Sequence, residues 1–308
     1  MTDKQNRVAI LLSTFNGERF LSEQLDSLLV QTYAHCDIWV RDDGSTDATL
    51  AILRRYSDLS PSIRVLEGSN LGFVGSFYEL LQVAGGGYGF YFFCDQDDVW
   101  LSDKVACAVT ALTEVVGPAL YCSRTEYVDA GLESIGPSPN YPGEKIGWGN
   151  ALVQNIATGC TVALNAASRH LLLVARPRYC LAHDWWAYLV VSAFGQVVFD
   201  AQSHILYRQH GRNTIGMEKK GLRGQWARVL RFVRRLRQAG PGWLDQLAEF
   251  ERLHGDQLTH RQRTELQMLL GSRVRWRSAL LVAAQNFYWR MSAIDSVILR
   301  VLLALRLY

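Results

Sequence analysis

The 308-residue chain is 49% hydrophobic and carries 32 Lys and Arg against 29 Asp and Glu, a net charge of +3. That much apolar material builds a real core in one large or two ordinary domains, and it excludes a disordered or low-complexity chain. The balance hides a split: residues 216–308 hold 17 of the basic and 7 of the acidic residues, or +10, leaving 15 minus 22, or −7, for residues 1–215.

In chain order, Met1 to Arg7 is polar and leads straight into an apolar run, Val8 to Leu12, so no secretion signal is expected ahead of the fold. Ser13-Thr14-Phe15-Asn16-Gly17 breaks that strand with turn chemistry. Phe20, Leu21, Leu25, Leu28 and Leu29 then recur at helical spacing. Ile38 to Val40 supplies a second strand, closed by Arg41-Asp42-Asp43-Gly44-Ser45-Thr46-Asp47, where Ser45 or Thr46 is expected to cap the helix through Leu50 and Leu53. Ile63 to Leu66 is a third strand, and Asn70-Leu71-Gly72-Phe73 precedes a helix through Phe77, Leu80 and Leu81 that ends at Gly85-Gly86-Gly87.

The fourth strand organises the rest. Phe90 to Cys94 is apolar on both faces, as a central strand of a parallel sheet should be, and it ends in Asp95-Gln96-Asp97-Asp98. Three carboxylates at the carboxyl edge of an α/β sheet suit a hard divalent ion, Mg2+ or Mn2+, that also meets phosphate oxygens. Ser102 and Asp103 can cap the following helix, near 103–116, but capping leaves the earlier triplet unexplained. Strand alternating with helix four times predicts an α/β, doubly wound, mostly parallel sheet. The first strand is not followed by G-x-G-x-x-G, which disfavours a dinucleotide-binding oxidoreductase.

Further on, Ala119 to Ser123 reads as a strand and 131–149 as a long irregular connection of the kind that forms lids or acceptor surfaces. Ile156 to Leu164 is strand-like around Gly159, His183-Asp184-Trp185-Trp186 opens a helix to Phe194, and Gln196 to Phe199 and Ile205 to Tyr207 are short strands. The six cysteines (36, 94, 107, 122, 160 and 180) form no C-x-x-C pair, which favours a reducing, cytoplasmic compartment. Beyond residue 215 two apolar stripes stand among arginines. One runs through Leu222, Trp226, Val229, Leu230, Val233 and Leu236; the other through Phe287, Met291, Ile294, Ile298, Val301, Leu305 and Tyr308. Both carry too many charges to span a bilayer, so they either lie in a membrane interface or pack on the main domain.

Taken together, Ser13 to Gly17, Asp42 to Asp47, Asn70-Leu71-Gly72, Cys94 to Trp100, His183-Asp184-Trp185 and Tyr207-Arg208-Gln209-His210-Gly211 resemble the family 2 inverting glycosyltransferases of GT-A fold, especially bacterial rhamnosyltransferase-like members. The likeness covers roughly residues 8–211. It implies a GT-A nucleotide-sugar-binding and catalytic domain over 1–215, followed by a basic, amphipathic helical extension over 216–308. By resemblance, Ser13, Thr14 and Asn16 lie along the nucleotide base, Asp43 accepts from its pyrimidine ring, and Asn70 belongs to the same nucleotide site. Asp97 contacts the metal directly; Asp95 sits nearer the ribose or the metal's water shell. His210 reaches the metal or the pyrophosphate, and Asp184 is the catalytic base.

On the residues alone, Asp184 also suits the first turn of its helix, and His210 a structural role. The expected reaction is transfer of one sugar, with rhamnose from dTDP-rhamnose leading and other dTDP- or UDP-sugars open. The acceptor is a glycan or lipid-linked saccharide in cell-surface polysaccharide assembly, and the site of action the inner face of the membrane, an anionic surface. Nucleic acid is not an expected partner. A processive synthase should show Q-x-x-R-W and transmembrane helices, and neither is found. The rival reading is a non-catalytic sugar-nucleotide or glycan-binding subunit of an assembly complex.

Overall fold

A computed structural model describes residues 6–210 and 242–307. They fall into two compact units, one built from 6–140, 156–174 and 182–210, the other from 141–155, 175–181 and 242–307.

The first unit is a nine-stranded sheet with helices between its strands. β1 (Val8–Thr14), α1 (Leu21–Leu29), β2 (Cys36–Asp42), α2 (Thr49–Leu59), β3 (Ile63–Glu67), α3 (Gly72–Val83) and β4 (Phe90–Cys94) alternate as the hydrophobic pattern predicts. These four strands run parallel in the order β3-β2-β1-β4, with Leu12 opposite both Val40 and Cys94. The order reverses at β1, so β2 lies on one side of it and β4 on the other. In open α/β sheets a ligand crevice opens at such a reversal, outside the carboxyl ends of the strands. Every residue of β4 is buried, as its uninterrupted aromatic run requires.

Beyond β4 the sheet turns mixed. β5 (Val99–Trp100), α4 (Lys104–Thr113), β6 (Ala119–Val128), β7 (Ser134–Pro137), β8 (Ala163–Asn165), α6 (Ala166–Val174), α7 (His183–Phe194) and β9 (Gln196–Arg208) complete the unit. β8 is antiparallel to β4 and β6, β9 runs parallel to β6, and β5 pairs antiparallel with β9.

Three expectations are corrected. Of the stretch 156–164 only Ala163 and Leu164 reach the sheet, as the start of β8; Gly159–Thr161 is instead a 3-10 turn. A β-carbon on Gly159 would stand 3.1 Å from His183 Nε2 and 3.5 Å from Asp184 Oδ2, so the chain bends there to admit those two side chains. The two short strands near 196–207 are one strand, with its register against β6 shifted near Ser123 and Arg124. Ser45 and Thr46 do not cap α2: Ser45 Oγ donates to Asp42 Oδ1 at 2.5 Å, and Thr46 N donates to Asn16 Oδ1 at 2.8 Å.

The second unit holds α5 (Trp148–Ala151), α8 (Trp243–His254), α9 (His260–Ser272), α10 (Trp276–Ala283) and α11 (Ala293–Ala304). Thr259 and Gln262 form a reciprocal capping box at the start of α9. Leu247, Phe250, Leu266, Leu269, Val282 and Leu303 are buried. The stripe read through Leu222 to Leu236 lies outside the described residues. The last stripe is helical only within α11, and there the buried residues are Leu299, Leu302 and Leu303, whereas Ile294, Val297, Val301 and Leu305 are 50 to 62% exposed. Among the described residues no helix is long and apolar enough to cross a membrane.

Candidate active site

The crevice at the β1/β4 reversal is built from three loops locked to one another. After β1, Asn16 takes a left-handed conformation (φ 48°); its N donates to Ser45 Oγ at 2.9 Å. Gly17 N donates to Thr49 Oγ1 at 2.8 Å, so the β1 loop is pinned on the β2 loop. Across the reversal, Gln96 grips the backbone of Phe15 from both sides: Oε1 accepts from Phe15 N at 2.8 Å and Nε2 donates to Phe15 O at 3.1 Å. A β-carbon on Gly17 would collide with that carboxamide, which is why a residue without one stands there. Gln96 stands inside the acidic motif, where no sequence pattern gives it a role; its bridge between the two loops appears only in the fold.

The expected base-binding residues gather on the β1/β2 side. Thr14 Oγ1 donates to Asp42 Oδ1 at 3.0 Å, and Asp42 Oδ2 accepts from Gly44 N at 3.2 Å and Ser45 N at 2.8 Å. The buried Asp43 pairs with Arg41 and accepts from Leu71 N and Gly72 N at 2.9 to 3.0 Å. Asn70 Oδ1 also accepts from Gly72 N at 2.9 Å, and Ser13 Oγ donates to Ser76 Oγ at 2.7 Å. Asp43 thus ties the β2 loop to the start of α3 and sets the wall of the crevice.

At the end of β4 the three acids separate into different environments. Asp97 points toward His210, with Oδ2 2.8 Å from Nε2, and the His210 ring stacks on Phe20 at 5.3 Å. Asp95 is half-buried, and burial together with the charges of Asp97 and Asp184 pushes its carboxyl up to about 7. Asp98 points inward and is fully buried; burial, then Asp97 and Asp95, raise it well above the usual carboxylate range. Its Oδ1 accepts from Arg208 N at 3.0 Å, while Oδ2 and the buried ammonium of Lys104 have no hydrogen-bond partner among the described residues. Burial lowers Lys104, so both members of this inner pair are driven toward neutrality.

Arg208 holds the loop from beneath. Its fully buried guanidinium donates to the carbonyls of Asp97 (2.8 Å) and Ala130 (2.6 Å) and to Glu23 Oε2 (2.7 Å), and lies 4.3 Å over the Phe20 ring. Planar forked donors let one side chain satisfy several acceptors at once. Arg208 and Lys104 have no role legible in the sequence, and Asp98, one of the three carboxylates expected to suit a cation, points inward instead. The signal for Asp98 was its place in the triplet; for Arg208 it was a charged residue at the end of an apolar strand.

Asp184 stands in the first turn of α7, buried, with Oδ1 accepting from Trp185 N at 2.6 Å. Its effect on Asp95 puts it at the same crevice. His183 beside it is buried, stacked on Phe77 at 4.0 Å with the edges of Phe93 and Phe73 at 4.8 and 5.9 Å. Neither ring nitrogen has a hydrogen-bond partner among the described residues, and burial lowers the imidazole to about 3.

The donor set fits a divalent cation. Asp97 and His210 are already at chelating separation, and the repulsion from Asp97 and Asp184 that adds to burial in raising Asp95 is what a cation relieves; the ligand atom of Asp95 itself lies within 4.8 Å of those of Asp98 and Cys160.

Such a crevice, at the reversal of a mostly parallel sheet with acids at the end of the central strand, defines a nucleotide-sugar transferase of GT-A fold. Solved structures carry the same architecture. The 1–349 portion of TarS from S. aureus, solved with UDP-GlcNAc, superposes with a TM-score of 0.58 at 16% identity, covering 96% of this chain and 89% of that one. Mannosyltransferase PcManGT from Pyrobaculum calidifontis, solved with GDP-Man and Mn2+, superposes with a TM-score of 0.54 at 18% identity, covering 98% and 81%. Residues 9–164 match Glycosyl transferase family 2, and the chain belongs to that family. Over 217 residues it is 28% identical to the dTDP-rhamnosyl transferase RfbG of Shigella flexneri, an alignment spanning 67% of this chain and 73% of that protein.

Proposed function

We propose that this glycosyltransferase moves a single sugar, with inversion, from a nucleoside-diphosphate donor to a glycan or lipid-linked acceptor, and that its donor is dTDP-rhamnose. The observation that carries the reading is the convergence of Asp95, Asp97, Asp184 and His210 on one crevice from β4, α7 and the end of β9. The similarity to RfbG supports the choice of donor.

Asp97 and His210, with Asp95 beside them, would hold a divalent ion, which when bound supplies Lewis-acid stabilisation of the charge growing on the leaving diphosphate. Asp184 takes the proton of the acceptor hydroxyl as it attacks the anomeric carbon. One direct displacement with one base inverts the anomeric centre. Asp43 and the Ser13 to Asn16 loop shape the base pocket, and Gln96 holds that loop against the metal-binding turn.

The +10 of residues 216–308 and the exposed stripe of α11 support action at an anionic membrane surface, where a lipid-linked acceptor would be found. Purified protein is to be incubated with dTDP-rhamnose, UDP-GlcNAc, UDP-glucose and GDP-mannose, with and without Mn2+, and nucleotide release measured. Metal-dependent release from dTDP-rhamnose above the others is expected. Release from none would leave a sugar-nucleotide-binding subunit as the better account.

A further inference from the structure

A second group of ligating side chains stands where α4 meets β9 and shares no residue with Asp97 and His210. Asp103 occupies the N-cap position of α4 without its carboxylate capping any backbone N–H. Cys107 follows one turn later, its Sγ 3.9 Å from Asp103 Oδ2. From β9, His204 brings Nδ1 to 3.1 Å from that same oxygen, yet Nδ1 is outside hydrogen-bond geometry with any described residue. The three ligand atoms lie within 4.8 Å of one another.

We propose that Asp103, Cys107 and His204 bind a borderline-soft divalent transition metal of the zinc class. Tetrahedral coordination at the bond lengths of such an ion sets its ligand atoms about 3.3–3.6 Å apart, and the two separations to Asp103 Oδ2, 3.1 and 3.9 Å, bracket that range. The thiol, imidazole and carboxylate select this class over Mg2+ or Ca2+, and the exposed side of Asp103 leaves a fourth position to water.

The second independent observation is the support behind the histidine. His204 Nε2 is 3.2 Å from Asp200 Oδ2, which also accepts from the Tyr121 hydroxyl at 2.9 Å, while Asp200 Oδ1 accepts from Gln202 N at 2.8 Å. A carboxylate behind the far nitrogen, itself fixed by further donors, orients a ligating imidazole and selects the tautomer that presents Nδ1. An ion pair of His204 with two carboxylates would account for Asp103 and Asp200. It leaves unexplained both the misaligned Nδ1 and the thiol beside it.

The test uses the full chain stripped with chelator and titrated with Co2+, whose thiolate complexes absorb by sulfur-to-metal charge transfer. The expected result is a charge-transfer band saturating at one equivalent and bleached by Zn2+. It should be lost in Cys107→Ser but kept in Cys160→Ser, which removes the thiol beside Asp95 and Asp98, and in Asp97→Asn. Asp200→Asn should weaken binding about 10- to 100-fold. In the wild type, Zn2+ should also protect Cys107 from alkylation, read by mass spectrometry, so the proposal stands or falls even where a variant misfolds. Absence of the band, its survival in Cys107→Ser, or equal alkylation of Cys107 with and without Zn2+ would overturn it.

Discussion

His183 offers a clean test of how the crevice is built, because its cost is confined to one protonation state. Buried among Phe73, Phe77 and Phe93 without a hydrogen-bond partner among the described residues, it is lowered to about 3 from an unfolded value near 6.5. Between those values the unfolded chain binds a proton that the folded chain refuses. Stability from this group is therefore whole above about pH 6.5 and lost as pH falls toward 3. At about 1.4 kcal/mol per pH unit, wild type should lose roughly 2 kcal/mol from this residue on going from neutral pH to pH 5.

Asp95 acts in the opposite sense over an overlapping range. Its raised carboxyl is protonated in the folded state, so its contribution falls as pH rises toward 7. A single pH profile would therefore mix the two, and only the difference between wild type and His183→Phe isolates the histidine. Phenylalanine suits the aromatic cage and does not titrate. Relative to wild type, it should gain about 2 kcal/mol at pH 5 over its value at pH 7.5, a Tm difference of about 4–8 °C by calorimetry. A difference that stays constant between those pH values would refute the reasoning and mean that His183 finds a partner or water when protonated.

Asp97→Asn should abolish metal-dependent nucleotide binding, measured by calorimetry with and without Mn2+, while the melting temperature stays near wild type; an unchanged metal dependence would sink the ligand assignment. Asp184→Asn should keep donor affinity and lower turnover about 10²–10⁴-fold in single-turnover assays with acceptor, and wild-type turnover would place the base elsewhere. Because Asp95 releases its proton near 7, apparent Mn2+ affinity should weaken as pH falls below that value, by up to about tenfold per pH unit from this group, and the slope should become shallower in Asp95→Asn, where the other ligands still compete with protons. Sedimentation with vesicles should show binding to anionic lipid that fades with salt and weakens in the double variant Val297→Ser, Val301→Ser; equal partitioning to neutral vesicles would refute the electrostatic part.

The first four strands were legible because each is a short apolar run closed by turn chemistry, and burial on both faces leaves no other reading of Phe90 to Cys94. The run 156–164 misled because its apolar residues are buried by tertiary packing around Gly159, which strand periodicity cannot distinguish from a ladder. The late apolar stripe left open whether it packs on the protein or lies in a membrane interface. A 3/4 spacing identifies a face but not which face is covered, and in α11 the buried face runs through Leu299, Leu302 and Leu303. Asp95, Asp97 and His210 were legible as motifs. Their support was not, because Arg208 meets Glu23 and the carbonyl of Ala130 across sequence separations that no local pattern encodes.

The acidic loop divides its three carboxylates by direction, and their chemistry follows from that division. Asp98 turns inward beneath Arg208 and beside Lys104, where burial drives acid and amine alike toward neutrality, so it adds little charge to the crevice and serves mainly to hold the loop. Asp97 turns outward onto His210, and Asp95 lies half-buried between Asp97 and Asp184. Burial and its neighbours push Asp98 toward its neutral form, so the negative charge of the loop is carried mainly by the acids on its outer side, where a cation would sit. The inner acid holds the loop through the Arg208 backbone and need not touch that cation itself.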